Sequence, residues 1–141
     1  ARLALAYGPG VRPNDERVLN QFIQKGINGS IKLLDSGSAM RTYGYISDVV
    51  AMLLNILVKN SKSVYNVGGH SVLSIKDLAI KIGQQMDVSV EVPVESGLSL
   101  KGAPQEVGLN LSRVEKEYGY EEYIEIDQGL KNTIEWINNY E

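Results

Sequence analysis

The sequence predicts an α/β fold, and three features of it carry that prediction. The opening run Arg2-Leu3-Ala4-Leu5-Ala6-Tyr7-Gly8 is apolar on both faces, which is the pattern of a strand buried in a parallel sheet. Downstream of it, segments with apolar residues at helical spacing alternate with short strand-like runs. The connections between them are short and rich in turn residues, so the chain reads as one mixed βα unit without internal repeats or low-complexity tracts.

After the first strand, Gly8-Pro9-Gly10-Val11-Arg12-Pro13-Asn14 is a turn-dense loop. Asn14 or Asp15 is placed to cap a helix carrying Val18, Leu19, Phe22 and Ile23, ended by Gly26 and Gly29. Ser30 to Leu34 reads as a short strand and Asp35 to Ser38 as a turn. Ser47 or Asp48 is expected to cap an apolar helix from Val49 to about Val58, and Ser63 to Val67 to form a second apolar strand. Ser74-Ile75-Lys76-Asp77 has the form of a capping box, continued by Leu78, Ala79 and Ile82 on one helix face. Val88 to Val94 alternates like a half-exposed strand closed by Pro93, and Ser96 to Val107 reads as a loop. Two helices, about Ser112 to Tyr118 and Gln128 to Asn138, complete the chain. The runs Arg2 to Tyr7 and Ser63 to Val67 are expected to be adjacent parallel strands, with an apolar edge left open to self-association, domain exchange or local disorder.

Composition narrows the function. The chain has 141 residues, 43% hydrophobic and 22% charged, with 14 Lys and Arg against 17 Asp and Glu. That length can bury a real core. A net charge of −3 offers no clustered positive field for nucleic acid or a membrane surface, and neither is expected as a partner. The absence of cysteine removes disulfides, thiol nucleophiles and thiolate metal sites, and fits a cytoplasmic location. The longest apolar run, Val49 to Leu54, is too short to span a bilayer, and no secretion leader opens the sequence. A domain rarely begins on its most buried strand, so the sequence reads as the C-terminal piece of something longer.

Little catalytic chemistry is visible. No G-x-G-x-x-G opens a helix, and Gly8-Pro9-Gly10 is better read as a rigid turn than as half of a phosphate cradle. No tyrosine is followed by lysine four residues later. His70 is the sole histidine and reads as an ordinary loop or capping residue, without carboxylates clustered for a metal. Glu115, Glu117, Glu121 and Glu122 read as a solvated face. The informative constellation is basic: Arg12 and Arg17 at a loop-to-helix junction, and Arg41 just before another helix. A guanidinium is a permanent planar fork suited to phosphate oxygens, which suggests an anion site, possible for a diphosphate. Composition alone favours the plainer reading of surface arginines in ordinary salt bridges, for Arg41 with Asp35 or Asp48.

Four segments then carry a resemblance: Arg2 to Gly10; Asp15-Glu16-Arg17-Val18 with Phe22-Ile23; Ile31 to Asp48; and Val64-Tyr65-Asn66-Val67-Gly68-Gly69 followed by Ser74 to Ala79. In order and spacing they resemble the C-terminal part of the extended short-chain dehydrogenases/reductases, the NAD-dependent nucleotide-sugar epimerases, dehydratases and decarboxylases. The resemblance implies an α/β piece of a Rossmann-type protein, residues 1–141, contributing two parallel strands of the parent sheet plus helices and short extra strands. It implies that NAD and the catalytic Tyr and Lys belong to an N-terminal part outside this chain, so that no catalytic residue lies within it and the chain alone is inactive. It further implies that Arg17 and Arg41 contact the diphosphate or sugar of a nucleoside diphosphate-sugar, that the backbone from Ile31 through Leu33 to Leu34 lies against the base, and that Tyr7, Gly8 and Pro9 border the nicotinamide and sugar. Lys101 falls where relatives often carry a phosphate-binding Arg, although a lysine cannot form the fork. Leu5 stands where relatives commonly have Asn, which leaves the sugar open. The parent is expected to be a homodimer, paired through helices outside this chain. The alternative is a stand-alone, non-catalytic module binding a nucleotide sugar or a protein; coding sequence upstream with G-x-x-G-x-x-G and Y-x-x-x-K separates the two.

Overall fold

The structure, a computed structural model, describes residues 1–12, 14–59, 62–93, 104–120 and 123–140. Its elements run β1 (Arg2–Leu3), β2 (Leu5–Tyr7), α1 (Val18–Ile27), β3 (Ser30–Lys32), β4 (Met40–Tyr45), α2 (Ile46–Lys59), β5 (Asn66–Val67), β6 (Ser71–Ser74), α3 (Ile75–Met86), β7 (Ser89–Glu91), β8 (Glu106–Val107), α4 (Ser112–Tyr118) and α5 (Ile126–Tyr140). The α/β class is as the sequence predicts.

Strand β4 organises the molecule. On one edge it pairs in parallel with β2, Leu5 opposite Tyr43 and Tyr7 opposite Tyr45, and further back with β8, Met40 opposite Glu106. On the other edge it pairs antiparallel with β6, Met40 opposite Ser74. The sequence places Ser38 to Tyr43 just before a helix and predicts no strand there, whereas Met40–Tyr45 is β4. Gly44 and Arg41 break the apolar alternation that marks a strand, yet Thr42, Tyr43 and Tyr45 are good strand formers, and pairing on both edges decides the matter. Strand β6 was also missed, because Ser71 and Ser74 flank only two apolar residues.

Alternation along β4 separates two cores. Tyr43 joins a cluster built from α1, α3 and α5, including Leu19, Phe22, Ile23, Leu78, Ile82, Leu130 and Ile134. Gly44 faces the opposite way, where a side chain would meet the Gly68 backbone and Val49. That close approach seats β4 on the second cluster, Val49 and Met52 of α2 with Tyr65, Val67, Leu111 and Val114.

The opening run does not behave as one buried strand. Arg2 and Leu3 pair with Asn66 and Val67, with Arg2 N donating to Tyr65 O at 2.7 Å and Ala4 N to Val67 O at 2.8 Å. Past Ala4 the chain changes partner to β4. The expected neighbours are therefore parallel, but β5 is only Asn66–Val67, and β1 has a strand on one side alone. Leu3 is accordingly 53% exposed rather than buried.

Helix boundaries show where side chains preferred other partners. Arg17, not Asn14 or Asp15, takes the N-cap position of α1; Asp15 Oδ1 instead accepts from Arg17 N at 2.9 Å, a turn two residues long. Gly26 stays inside α1, where it meets Met86. Helix α2 starts at Ile46, so Asp48 lies within its first turn rather than at its cap. The capping expectation at Ser74 is met: its hydroxyl accepts from Asp77 N at 2.9 Å and donates to the Asp77 carboxylate at 2.6 Å. Strand β7 pairs in parallel with β3, Ile31 opposite Val90. The end of the predicted 88–94 strand, and most of the 96–107 loop, lie outside the described residues; Glu106–Val107 is a strand. Helix α5 extends two residues beyond its predicted limits at each end.

Among the described residues no helix is long and apolar enough to cross a membrane. Helix α2 nevertheless presents Val50, Leu54, Leu57 and Val58 on one exposed stripe, at 44%, 56%, 76% and 81% exposure. Together with the one-sided β1, this predicts self-association of the 141-residue chain. Sedimentation velocity should show oligomers at micromolar concentration, dispersed by the double change Leu54→Glu and Leu57→Glu. A monodisperse wild-type monomer with Leu3 ordered and exposed would contradict the expectation.

Candidate functional site

The site begins where β2 ends. Tyr7 leaves the strand into the first core and stands edge-on to Tyr43, at 6.4 Å between ring centroids, and to Tyr45, at 5.6 Å. Its hydroxyl rests on α5 at Gly129, where any side chain would overlap it. Burial, then the neighbouring Tyr45 and Asp48, push the Tyr7 phenol well above its ordinary pKa, so it stays protonated. Gly8 follows, buried with its α-carbon against Ile46, and Pro9 is half-buried.

Tyr7, Gly8 and Arg17 line one cavity with Leu5, Ala6, Asn20, Tyr43 and Thr133. Its volume is about 30 Å³, room for about one water. Arg17 is engaged at its rim. The guanidinium donates through Nε to Asp15 at 2.9 Å, through Nη2 to Asp15 Oδ2 at 2.5 Å and through Nη1 to the Ala6 carbonyl at 2.9 Å. The hydrogen bond from Arg17 holds the Asp15 carboxyl below its usual range. Arg12 is exposed.

Arg41 behaves differently. It is half-buried on β4, two residues from Tyr43, and uses one Nη1–H on the Met40 carbonyl at 2.7 Å. It forms no ion pair among the described residues: Asp35 Oδ1 accepts from Gly37 N at 2.8 Å, and Asp48 is held elsewhere. Burial raises the Tyr43 phenol to about 12, with the Arg41 charge acting to lower it, so that phenol too remains a donor at neutral pH. Arg41 and Pro9 do not line the Tyr7 cavity. Ile31 and Leu33 turn their side chains into the core, while Leu33 N donates to Glu91 O at 3.0 Å and Leu34 projects outward at 86% exposure. Lys101 lies outside the described residues.

Three carboxylates do more than the sequence suggests. Asp48, buried, accepts from Tyr120 Oη and from Ile124 N, both at 2.9 Å, and so ties the segment after α4 to the start of α2. A residue in a capping pattern gives no sign of such a long-range role. Glu115 is not merely solvated: it accepts from Tyr123 Oη at 2.9 Å and lies 2.7 Å from His70 Nε2, and Tyr65 Oη donates to Glu117 at 2.5 Å. His70 is thus a surface loop residue braced by Glu115 and the Tyr123 ring. Glu121 and Glu122 lie outside the described residues.

Comparison with known proteins shows what the chain is similar to. Residues 1–68 match the model of the NAD dependent epimerase/dehydratase family. UDP-glucuronic acid decarboxylase 1 of Xenopus tropicalis is 28% identical over 138 residues, covering 97% of this chain and 32% of that protein. Over its first 68 residues, just under half its length, the chain is thus similar to the NAD dependent epimerase/dehydratase family. It spans about a third of the length of the curated relatives it matches. The fold agrees: dTDP-glucose 4,6-dehydratase from Bacillus anthracis, solved in complex with NAD, superposes with a TM-score of 0.84 at 21% identity over 99% of this chain and 44% of its own. UDP-glucose 4-epimerase from Thermotoga maritima, solved with UDP-glucose, gives 0.78 at 23% identity over 98% and 45%. The α/β arrangement is that of the Rossmann-type epimerases and dehydratases.

Gly129→Ala would force Tyr7 off α5, and overpacking of this kind costs about 1–3 kcal/mol. Urea unfolding should show that loss, and Tyr7→Phe should recover part of it by removing the hydroxyl; an Ala variant as stable as wild type would contradict the packing. For the cofactor, the sequence carries no G-x-G-x-x-G at a strand-to-helix turn and leads to the expectation that this chain alone does not hold NAD. Calorimetric titration of NAD into the 141-residue chain should give no saturable binding at physiological concentrations, and micromolar binding would contradict that.

Proposed function

We propose that this chain is the substrate-holding C-terminal portion of an NAD-dependent nucleotide-sugar epimerase or dehydratase, the decarboxylases included, and that it binds the nucleoside diphosphate-sugar. The observation that carries the reading is the state of Arg41. A permanent cation is held half-buried on the central strand with most of its fork unused and no carboxylate pair among the described residues. The salt bridges that would have made it a structural residue are not formed, since Asp35 and Asp48 serve the backbone and Tyr120. Such a group suits a diphosphate.

Around it the remaining roles follow. Tyr43, beside Arg41, is a protonated donor. Arg17 lies across the cavity beyond Tyr43, with Asp15 competing for its fork, so it contributes to the anion site after Arg41. The outward Leu34 and the β3 backbone next to it offer the base an apolar contact and peptide groups. Tyr7, Gly8 and Pro9 shape the wall where the sugar approaches the nicotinamide, with Tyr7 held rigid by Gly129. NAD, bound by a part of the protein outside these 141 residues, supplies transient oxidation of the sugar. Arg41 offers the sugar nucleotide a cation. The acid and base of the reaction also fall outside this chain, and the full protein acts as a homodimer.

The test is nucleoside diphosphate binding by the full-length protein, with UDP as the probe so that sugar identity does not matter. A charge-assisted contact to phosphate contributes about 1.5–3 kcal/mol, so Arg41→Ala should weaken binding roughly ten- to a hundred-fold. Arg41→Lys should lose much of the same affinity, because an ammonium cannot fork. Wild-type binding by both variants would remove Arg41 as the phosphate ligand and the reading with it.

A further inference from the structure

The second face of the β1–β5 pair carries a feature that the sugar-nucleotide reading leaves unused. Leu3 and Val67 are register partners, and Val67 is buried in the second core, so Arg2 and its partner Asn66 point to the opposite side. There Arg2, Val64, Asn66, Asn110, Ser112 and Arg113 line a cavity of about 310 Å³. That is ten times the volume beside Tyr7 and at the lower end of the range for small-molecule sites.

The lining has a consistent chemistry. Among the described residues that line it are two guanidinium groups and no carboxylate, in a chain whose net charge is −3. Neither arginine is in an ion pair with a described residue. The cavity is also braced. Arg113 Nη1 donates to Val64 O at 2.6 Å, Asn66 Nδ2 donates to Asn110 O at 3.0 Å, and Asn110 Oδ1 accepts from Ser112 N at 2.9 Å. These bonds fix Arg113 and both asparagines while leaving the second arm of Arg113, the Arg2 fork and the Asn110 amide N–H groups to face a ligand. Arg2 itself is anchored by its backbone, N donating to Tyr65 O. No aromatic ring lines the cavity among the described residues, so those residues give a nucleobase nothing to stack on.

We propose that this cleft is a second anion site, separate from Arg41, which binds a small phosphate monoester. Two guanidinium forks match the oxygens of a doubly charged phosphate, and the amide and hydroxyl groups of Asn66, Asn110 and Ser112 match the hydroxyls of the attached residue. The volume exceeds that of a phosphate alone, which favours the ester over the free ion.

Calorimetry of the full-length protein with glucose 1-phosphate and with inorganic phosphate, at constant ionic strength set with sodium chloride, tests the proposal. Saturable one-to-one binding is expected, tighter for the ester, and weakened about ten- to a hundred-fold by Arg2→Ala and by Arg113→Ala. Because the Arg2 side chain makes no hydrogen bond to the described protein, Arg2→Ala keeps the test decisive even if loss of the Arg113–Val64 bond loosens β5. UDP binding should be unaffected by either change, which separates this site from Arg41. Absence of saturable binding, an unchanged affinity in Arg2→Ala, or equal affinity for ester and free phosphate would overturn the proposal.

Discussion

Double-sided pairing of β4 is the constraint on which the rest of the molecule depends. Its backbone is satisfied by β2 and β8 on one edge and β6 on the other, so its register is fixed from both sides. Register then decides facing. Tyr43 and Tyr45 must turn toward Tyr7, Gly44 must meet Gly68 and Val49, and Arg41 must share the side of the strand that carries Tyr43. A slip of one residue would bury Arg41's neighbours differently and place a ring where only a glycine fits. The two cores are thus joined through a single six-residue strand.

The helices were largely legible because their periodicity is strong and their caps are local. Ser74 with Asp77 and the limits of α4 are examples, each set by residues within a few positions of one another. The strands were less so. β4 and β6 gain their stability from partners far away in sequence, and their own composition, with Arg41, Gly44 and two serines, does not announce a strand. Asp15 and Asp48 illustrate the same limit for side chains. Both have the chemistry of a cap, but Asp15 turns to Arg17, and Asp48 serves Tyr120 and Ile124, 72 and 76 residues further along. No local pattern encodes such choices.

For the candidate site, the sequence marked out the arginines but could not rank them. Arg17 and Arg41 look equivalent on paper, each beside a turn and a helix. The fold separates them physically: Arg17 has a carboxylate two residues away that holds its fork, whereas Asp35 and Asp48, the carboxylates flanking Arg41 in sequence, bond elsewhere. The first spends its charge on a loop and the second keeps it. The chain spans about a third of the length of the curated relatives it matches.

The central claim is that Arg41 keeps its fork for the diphosphate, and a crystal structure of the full-length protein with bound UDP tests it most directly. The account predicts Arg41 nitrogens about 2.7–2.9 Å from diphosphate oxygens, the range of charge-assisted hydrogen bonds, with the Met40 carbonyl contact retained or exchanged for a phosphate. A diphosphate held elsewhere, with Arg41 paired to a carboxylate, would contradict it.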